Sequence, residues 1–407
     1  MVMGLRIAVY HNLHSGGAKH ALYQIVRRLI GRHQVDHWCI STADTQFYDL
    51  REFVEDNLVF EFKPGRLFHS PFGRFNQAVR WCDLARLEKV QRCIAAEIDR
   101  RGYDVAYIQP CQFTQNPSLL CYLRTPSLYH CQEPFRRFYE LPLPRVDRNN
   151  RGWRSVPDRI DPFNWAYHQR LQRWERRNVQ HASRIVTNSF FTREALYRIY
   201  GVNARVLYLG VDPETFRPLG LPKENMVLSV GALIPQKGFD FIVESLGLIP
   251  KHLQPNLVVV SNYQEPAERA YLEKLAAARG VSLRLCVQVS TVELVHLYNT
   301  AICTVYAPIM EPFGLVPLES MACGTPVVAV KEGGVRESVL HGQTGLLTDR
   351  DADQFAIAAR TLLENEVLAK QYGEQARKYV LEHWSWDVTV QQLEQHLLQV
   401  ADRDVEK

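Results

Sequence analysis

Short β-branched runs alternate with helical stretches along this chain, and they do so twice over. Leu5–Tyr10, Val35–Ile40, Val105–Ile108, Thr125–His130 and Arg184–Thr187 read as strands, with amphipathic segments at Ala18–Ile30, Trp81–Ile98 and Trp165–Gln180. A turn-rich stretch, Pro213 to Pro222, interrupts the pattern, and then it restarts. Strand Val227–Val230, helix Phe239–Leu248, strand Leu257–Val260 and helix Glu268–Ala278 precede strands Leu283–Val287, Ile302–Tyr306 and Val327–Val330. Successive strands joined by helical crossovers must run parallel, so each half implies a doubly wound α/β sheet. The expected domains are residues 1–210 and 211–387, with a last helix in 388–407. The chain's 407 residues suit two domains better than one. Residues 41–77 read as irregular and 133–160 as a long loop. Ligands in such sheets lie beyond the strands' carboxyl ends, so the cleft between the two domains is the expected site.

Composition excludes several classes. Hydrophobic residues at 46% and charged residues at 23% are globular proportions, which argues against disorder and fibrous repeats. No apolar run approaches the ~18 residues of a membrane span. The N-terminus enters a core strand at once, without the order of a signal peptide, so a cytoplasmic protein is expected. The nine cysteines are odd in number and none lies at C-x-x-C spacing, which points to reduced thiols and away from zinc. Charge is unevenly spread: residues 1–210 hold 31 Lys and Arg against 19 Asp and Glu, the remainder 17 against 25. The densest basic stretch runs from Arg136 to Arg159 and is interleaved with Phe138, Tyr139 and Trp153.

The run from Met310 to Ala329, M-E-P-F-G-L-V-P-L-E-S-M-A-C-G-T-P-V-V-A, carries the strongest chemical signal. A helix starting near Gly314 would leave the N–H groups of Gly314, Leu315 and Val316 free to meet an anion, beside Phe313. Glu311 would stay in the preceding loop and Glu319 would project from the second turn. Two carboxylates around an anion-seeking helix start suit a nucleotide sugar. For a bare pair of glutamates, a cap and a solvated side chain would be the simpler account. Asp351-Ala352-Asp353 precedes a helix expected at Gln354–Leu363 and reads as its N-terminal cap, not a metal site.

Beyond the bare pair, E-x(7)-E followed by A-C-G-T-P-V-V-A resembles the donor motif of glycosyltransferase family 4, the retaining enzymes of GT-B fold. Gly231-Ala232-Leu233-Ile234-Pro235-Gln236-Lys237-Gly238 resembles that family's phosphate loop, and Thr187-Asn188-Ser189 and Tyr208-Leu209-Gly210-Val211-Asp212 its interdomain segments. Gly333-Gly334-x-x-Glu337 and His341-Gly342-x-Thr344-Gly345 match the region after the donor motif. The resemblance implies two Rossmann-like domains facing across a cleft, with the C-terminal helix crossing back to the first. It implies a nucleotide diphosphate sugar donor, an acceptor hydroxyl and no metal or other cofactor. Glu311 would contact the hexose, Glu319 the ribose hydroxyls, and Lys237, with Gly231 and Gln236 nearby, the diphosphate. His130 would lie near the reacting carbon, and Gly16 and Gly17 would form the N-terminal glycine loop.

One departure stands out. The family loop often has Arg after its first Gly, and here that position is Ala232; Arg136 or Arg137 could compensate. A GT-B nucleotide-sugar epimerase and a catalytically weak nucleotide-sugar binder are the rival readings. Neither UDP nor GDP is favoured, since base recognition would fall to backbone near Ser261–Tyr263 and Gln288–Ser290. The basic, aromatic stretch points to an anionic or lipid-linked glycan acceptor and to reversible attachment at an anionic membrane surface. Nothing resembles a nucleic-acid-binding module.

Overall fold

The computed structural model describes residues 4–54, 56–68, 75–136 and 162–402, in two compact units. The first is Met1–Asn188, Thr192–Leu207 and Val390–Lys407; the second is Ser189–Phe191 and Tyr208–Thr389. In the first, β1 (Arg6–Asn12), α1 (Gly17–Leu29), β2 (Gln34–Ile40), β3 (Asn57–Phe60) and α2 (Asn76–Arg101) lead into β4 (Val105–Cys111) and β5 (Ser127–His130). Then come α3 (Pro162–Val179), β6 (Arg184–Thr187), α4 (Phe190–Tyr200) and β7 (Arg205–Val206). The seven strands pair in parallel in the order β3-β2-β1-β4-β5-β6-β7.

The second unit runs β8 (Glu224–Val230), α5 (Phe239–Gly247), β9 (Asn256–Ser261), α6 (Pro266–Arg279), β10 (Leu283–Val287), α7 (Thr291–Thr300) and β11 (Ala301–Tyr306). It continues with α8 (Leu315–Ala322), β12 (Val327–Val330), α9 (Val335–Ser338), β13 (Gly345–Thr348), α10 (Ala352–Glu364) and α11 (Glu366–His383). Its six strands, again parallel, take the order β10-β9-β8-β11-β12-β13. Each sheet therefore reverses its winding once: between β1 and β4 in the first, between β8 and β11 in the second. Those reversals open crevices at the strands' carboxyl ends. One core gathers Ile94, Ile98 and Ile108 with the aromatics Trp38 and Tyr129, and the other is mainly aliphatic, with Ile242, Leu257 and Val305.

The last helix, α12 (Trp386–Ala401), begins in the second unit and belongs to the first from Val390 onward. Its Glu394 takes hydrogen bonds from Arg32 (2.8 Å) and lies 3.1 Å from the His33 ring nitrogen. The return of this helix is the one the resemblance implied. All nine cysteines are free thiols.

Three elements differ from expectation. The stretch read as irregular contains β3, an edge strand whose residues are only half covered and so lack a continuous apolar run. Strand β13 lies in a segment read only as a motif, and α11, with few buried residues, has a weak apolar stripe. The basic, aromatic stretch from Arg137 to Arg159 lies outside the described residues.

Trp384-Ser385-Trp386 is packing. Trp384 and Trp386 are buried, and Ser385 pairs with Val211 in an isolated bridge. A Cβ on Gly210 would come 2.4 Å from the Trp386 nitrogen, so this crossing demands glycine. Gly210→Ala is expected to cost about 1–3 kcal/mol, the scale of overpacking in a rigid site, read from urea unfolding midpoints.

Candidate active site

The crevice of the second unit is assembled from the turns after β8 and β11. After β8, Gly231 leads into a short 3-10 turn at Pro235–Lys237, closed by Gly238 at φ 65°. A Cβ on Gly238 would strike the Ala307 carbonyl at 2.1 Å, so glycine lets the phosphate-type loop lie flat against the turn after β11. The Ile309 N–H donates to the Gln236 carbonyl at 2.8 Å and fastens the two turns together. The Gln236 side chain is exposed.

Lys237 Nζ donates to Glu311 Oε2 at 2.7 Å, with both side chains about one-fifth exposed, at 23% and 18%. The ammonium proposed to meet the diphosphate and the carboxylate proposed to meet the sugar thus form an ion pair with each other. Neither spacing nor motif revealed this pairing, because the residues lie in different turns. The Glu311 loop is itself clamped from behind. Gly334 N–H donates to the Glu311 carbonyl at 2.8 Å, and a Cβ on Gly333 would meet that oxygen at 2.2 Å. The glycine pair after β12 therefore serves to hold Glu311 in place.

Gly314, at φ 94°, precedes α8, and no side chain caps that helix. The amides of Leu315 and Val316 find no acceptor among the described residues, which leaves them available to an anion. Pro317 lies within the first turn, where a missing N–H costs nothing. Phe313 is buried, its ring 6.0 Å from that of Tyr208 and 5.7 Å from that of Trp384. Its contribution is to anchor the loop, by packing.

Glu319 projects from the second turn and accepts a hydrogen bond from the Tyr298 hydroxyl at 2.9 Å. The residue is half-buried, and burial pushes its carboxyl up to about 7. Tyr298 was not legible as a site residue; it stands on α7, and only the fold brings it to Glu319. Ser320 and Thr325, just before and within the A-C-G-T-P run, are structural: Ser320 donates to Thr304 at 2.7 Å, and Thr325 to the Tyr298 carbonyl at 2.6 Å. Beside β9, the Leu233 N–H donates to the Tyr263 carbonyl at 2.7 Å, and Gln288 adopts φ 56° next to Ser261. Asp351 accepts from Gln354 N–H at 2.9 Å and caps α10.

In the first unit, His130 ends β5 and is fully buried. Burial lowers it to about 4, so the ring is neutral, and burial raises the Tyr107 hydroxyl far above its usual range. The Tyr107 hydroxyl oxygen lies 2.8 Å from His130 Nδ1, in a hydrogen bond whose direction follows the ring's tautomer. His130 Nε2 is buried and has no partner among the described residues. Gly16 and Gly17 open α1, which carries no side-chain cap. Arg136 pairs with Glu133 at 3.0 Å, and Arg137 lies outside the described residues.

Two outcomes are expected. Lys237→Ala and Glu311→Ala should each lower kcat/KM for transfer by about 10²–10³ with the melting temperature little changed, in steady-state assays. Ribose hydroxyls would donate to the ionised form of Glu319, so donor affinity should fall as pH drops through about 7. Glu319→Gln should flatten that pH dependence in titration calorimetry between pH 6 and 8.

Two family models match the chain: "Glycosyltransferase Family 4" over residues 15–215 and "Glycosyl transferases group 1" over residues 211–379. A D-inositol 3-phosphate glycosyltransferase of Acidothermus cellulolyticus is 35% identical over 229 residues, 51% of each chain. One of the same name from Kineococcus radiotolerans is 30% identical, over 57% of this chain and 61% of its own. The chain thus spans about half the length of the curated relatives it matches. Among solved structures, sucrose-phosphate synthase from Thermosynechococcus elongatus superposes with TM-score 0.72 at 22% identity, covering 97% of this chain and 99% of that one. Anabaena HepE, solved with UDP and glucose, gives 0.69 at 19% identity, covering 97% and 100%. The two models between them take in most of the sequence, the fold is GT-B, and the chain belongs to the family 4, group 1 glycosyltransferases.

Proposed function

We propose that the chain transfers a hexose from a nucleoside diphosphate sugar to an acceptor hydroxyl, with retained anomeric configuration. The observation that carries this reading is the uncapped start of α8 beside the Lys237–Glu311 pair and Glu319, all in one crevice. The amides of Leu315 and Val316 would take the diphosphate, with Lys237 turning from Glu311 toward it as charge develops. Glu311 would hold sugar hydroxyls and Glu319 the ribose. In the transfer, the acceptor oxygen bonds to the anomeric carbon on the face from which the diphosphate departs. The carbon–oxygen bond to phosphate breaks, and a phosphate oxygen takes the acceptor's proton. With its proton on Nε2, His130 would meet an oxygen near the reacting carbon. The D-inositol 3-phosphate glycosyltransferases named above lend the epimerase rival no support.

HepE's complex with UDP makes UDP the first nucleotide to try. A thermal-shift panel of UDP, GDP, ADP and their sugars should show stabilisation by one diphosphate family and, with a glycan acceptor, release of that diphosphate. Binding without turnover would favour the weak binder suggested by Ala232. No binding would overturn the reading.

A second proposal concerns the acceptor side: reversible attachment to an anionic membrane, serving a lipid-linked or otherwise anionic acceptor. No helix among the described residues is long and apolar enough to cross a membrane. The first unit nevertheless exposes Phe68 (50%), Trp81 (38%), Phe163 (71%) and Trp165 (66%) around the starts of α2 and α3. Gln77 donates to Asn164 at 3.0 Å, so those helix starts are neighbours. The Arg170 guanidinium lies 4.3 Å from the Trp81 ring centre. Aromatics beside arginine suit the headgroup region, where each basic residue adds about 1 kcal/mol. Sedimentation should show binding to anionic vesicles that fades at high salt and falls several-fold in Phe163→Ser/Trp165→Ser. Equal binding to neutral vesicles, or none, would contradict it.

A further inference from the structure

A partly open cavity of about 260 Å³ lies in the first unit, against the face of β1–β3 and beside α1. It is lined by His11, Lys19, His37, Cys39, Asp44 and Asp49, among others, with Arg51 at its edge. None of these residues belongs to the donor crevice or to the motifs that carry the family resemblance. Lys19, His11 and His37 are almost wholly buried, at 1%, 2% and 3% exposure.

The polar groups in this cavity have capacity left over. Lys19 donates to the Asp44 carbonyl and lies 3.8 Å from its carboxylate, yet an ammonium carries three N–H donors. His37 Nδ1 is 2.6 Å from Asn57 Oδ1 and must donate to it, which leaves Nε2 as an acceptor. That Nε2 is buried and without a partner. His11 Nδ1 accepts from the Leu13 N–H at 3.3 Å, so its Nε2 bears the proton. The two rings stack with centroids 4.8 Å apart and present one donor and one acceptor side by side.

Charge decides the class of ligand. Arg51 is paired with Asp49 at 2.8 Å and Lys19 with Asp44, while burial lowers both histidines and keeps them neutral. No cation is left over for a phosphate or carboxylate, which would be desolvated here without compensation. A hydroxyl both donates and accepts, and so answers such a lining group by group. The volume falls below the 300–1,000 Å³ or so of drug-sized pockets and leaves room for one six-membered ring. No metal cluster of His, Cys, Asp or Glu forms among the described residues.

We infer that this cavity binds one neutral polyol ring, a sugar or cyclitol unit belonging to the acceptor. The assignment to the acceptor rests on the proposed transferase reading. β2, which carries His37, is separated from β5, which ends in His130, by β1 and β4. Three strand spacings amount to about 14 Å, so the bound ring is a remote unit of a larger glycan, held while another hydroxyl reacts.

The test uses the full chain without donor. Saturation-transfer NMR and calorimetry should detect glucose or myo-inositol, with no competition from inorganic phosphate. Thr45→Trp, at the exposed mouth, and His37→Phe should each weaken that binding at least tenfold. Thr45→Trp keeps the test valid should His37→Phe fail to fold, as melting curves would reveal. UDP binding, measured in parallel, should be unchanged in both variants. Polyol binding that survives both substitutions, competition by phosphate, or absence of polyol binding would overturn the assignment. Loss of UDP binding in wild type would instead count against the transferase reading, and polyol binding alongside it would leave the cavity as a site unconnected to transfer.

Discussion

The ion pair between Lys237 and Glu311 is the interaction on which the rest of the candidate site depends. A departing diphosphate needs positive charge, and the family position that often supplies it holds Ala232. Lys237, the cation this loop does carry, is balanced by a carboxylate 2.7 Å away. In the free protein the pair has no net charge to offer an anion, so initial attraction would fall to the amides at the start of α8. On the proposed reading, Lys237 would become useful only when it exchanges one anionic partner for another. That exchange would favour the transition state, where charge on the diphosphate is greatest, over the bound ground state.

Close backbone approaches hold this arrangement still. Gly238 lies on Ala307, while Gly333 and Gly334 lie on Glu311 and Pro312, each within a distance that a Cβ would forbid. Three turns from separate strands are thereby fused at the point where the sheet reverses its winding. Behind them, Phe313 packs with Tyr208 and Trp384, and Glu337 accepts the Phe190 and Phe191 amides, each at 2.9 Å. Side chains at the crevice can then exchange partners over a rigid base, as preorganised electrostatics require.

The sequence was most legible where a local rule governs the outcome. Parallel strands buried on both faces, such as Ile302–Tyr306, announce themselves as apolar runs, and Asp351 announces a helix start. Edge strand β3 and helix α11 did not, because partial burial dilutes the periodicity. In the site, the loop position of Glu311 and the helical position of Glu319 followed from Gly314. The Tyr298 hydroxyl on Glu319, the Lys237–Glu311 pair and the burial of Phe313 did not, since each joins segments that only the tertiary fold brings together. The stacked histidines of the first unit escaped notice for the same reason: alternation along β1 and β2 places them on one face, but nothing in either strand names its partner.

The central claim, that Glu311 holds Lys237 in reserve, is tested most directly by titrating UDP into wild type, Lys237→Ala and Glu311→Gln. If the pair restrains the cation, Glu311→Gln frees it. UDP should then bind that variant at least as tightly as wild type while sugar transfer collapses, and Lys237→Ala should lose both. Weakened UDP binding in Glu311→Gln, matching that of Lys237→Ala, would contradict the account.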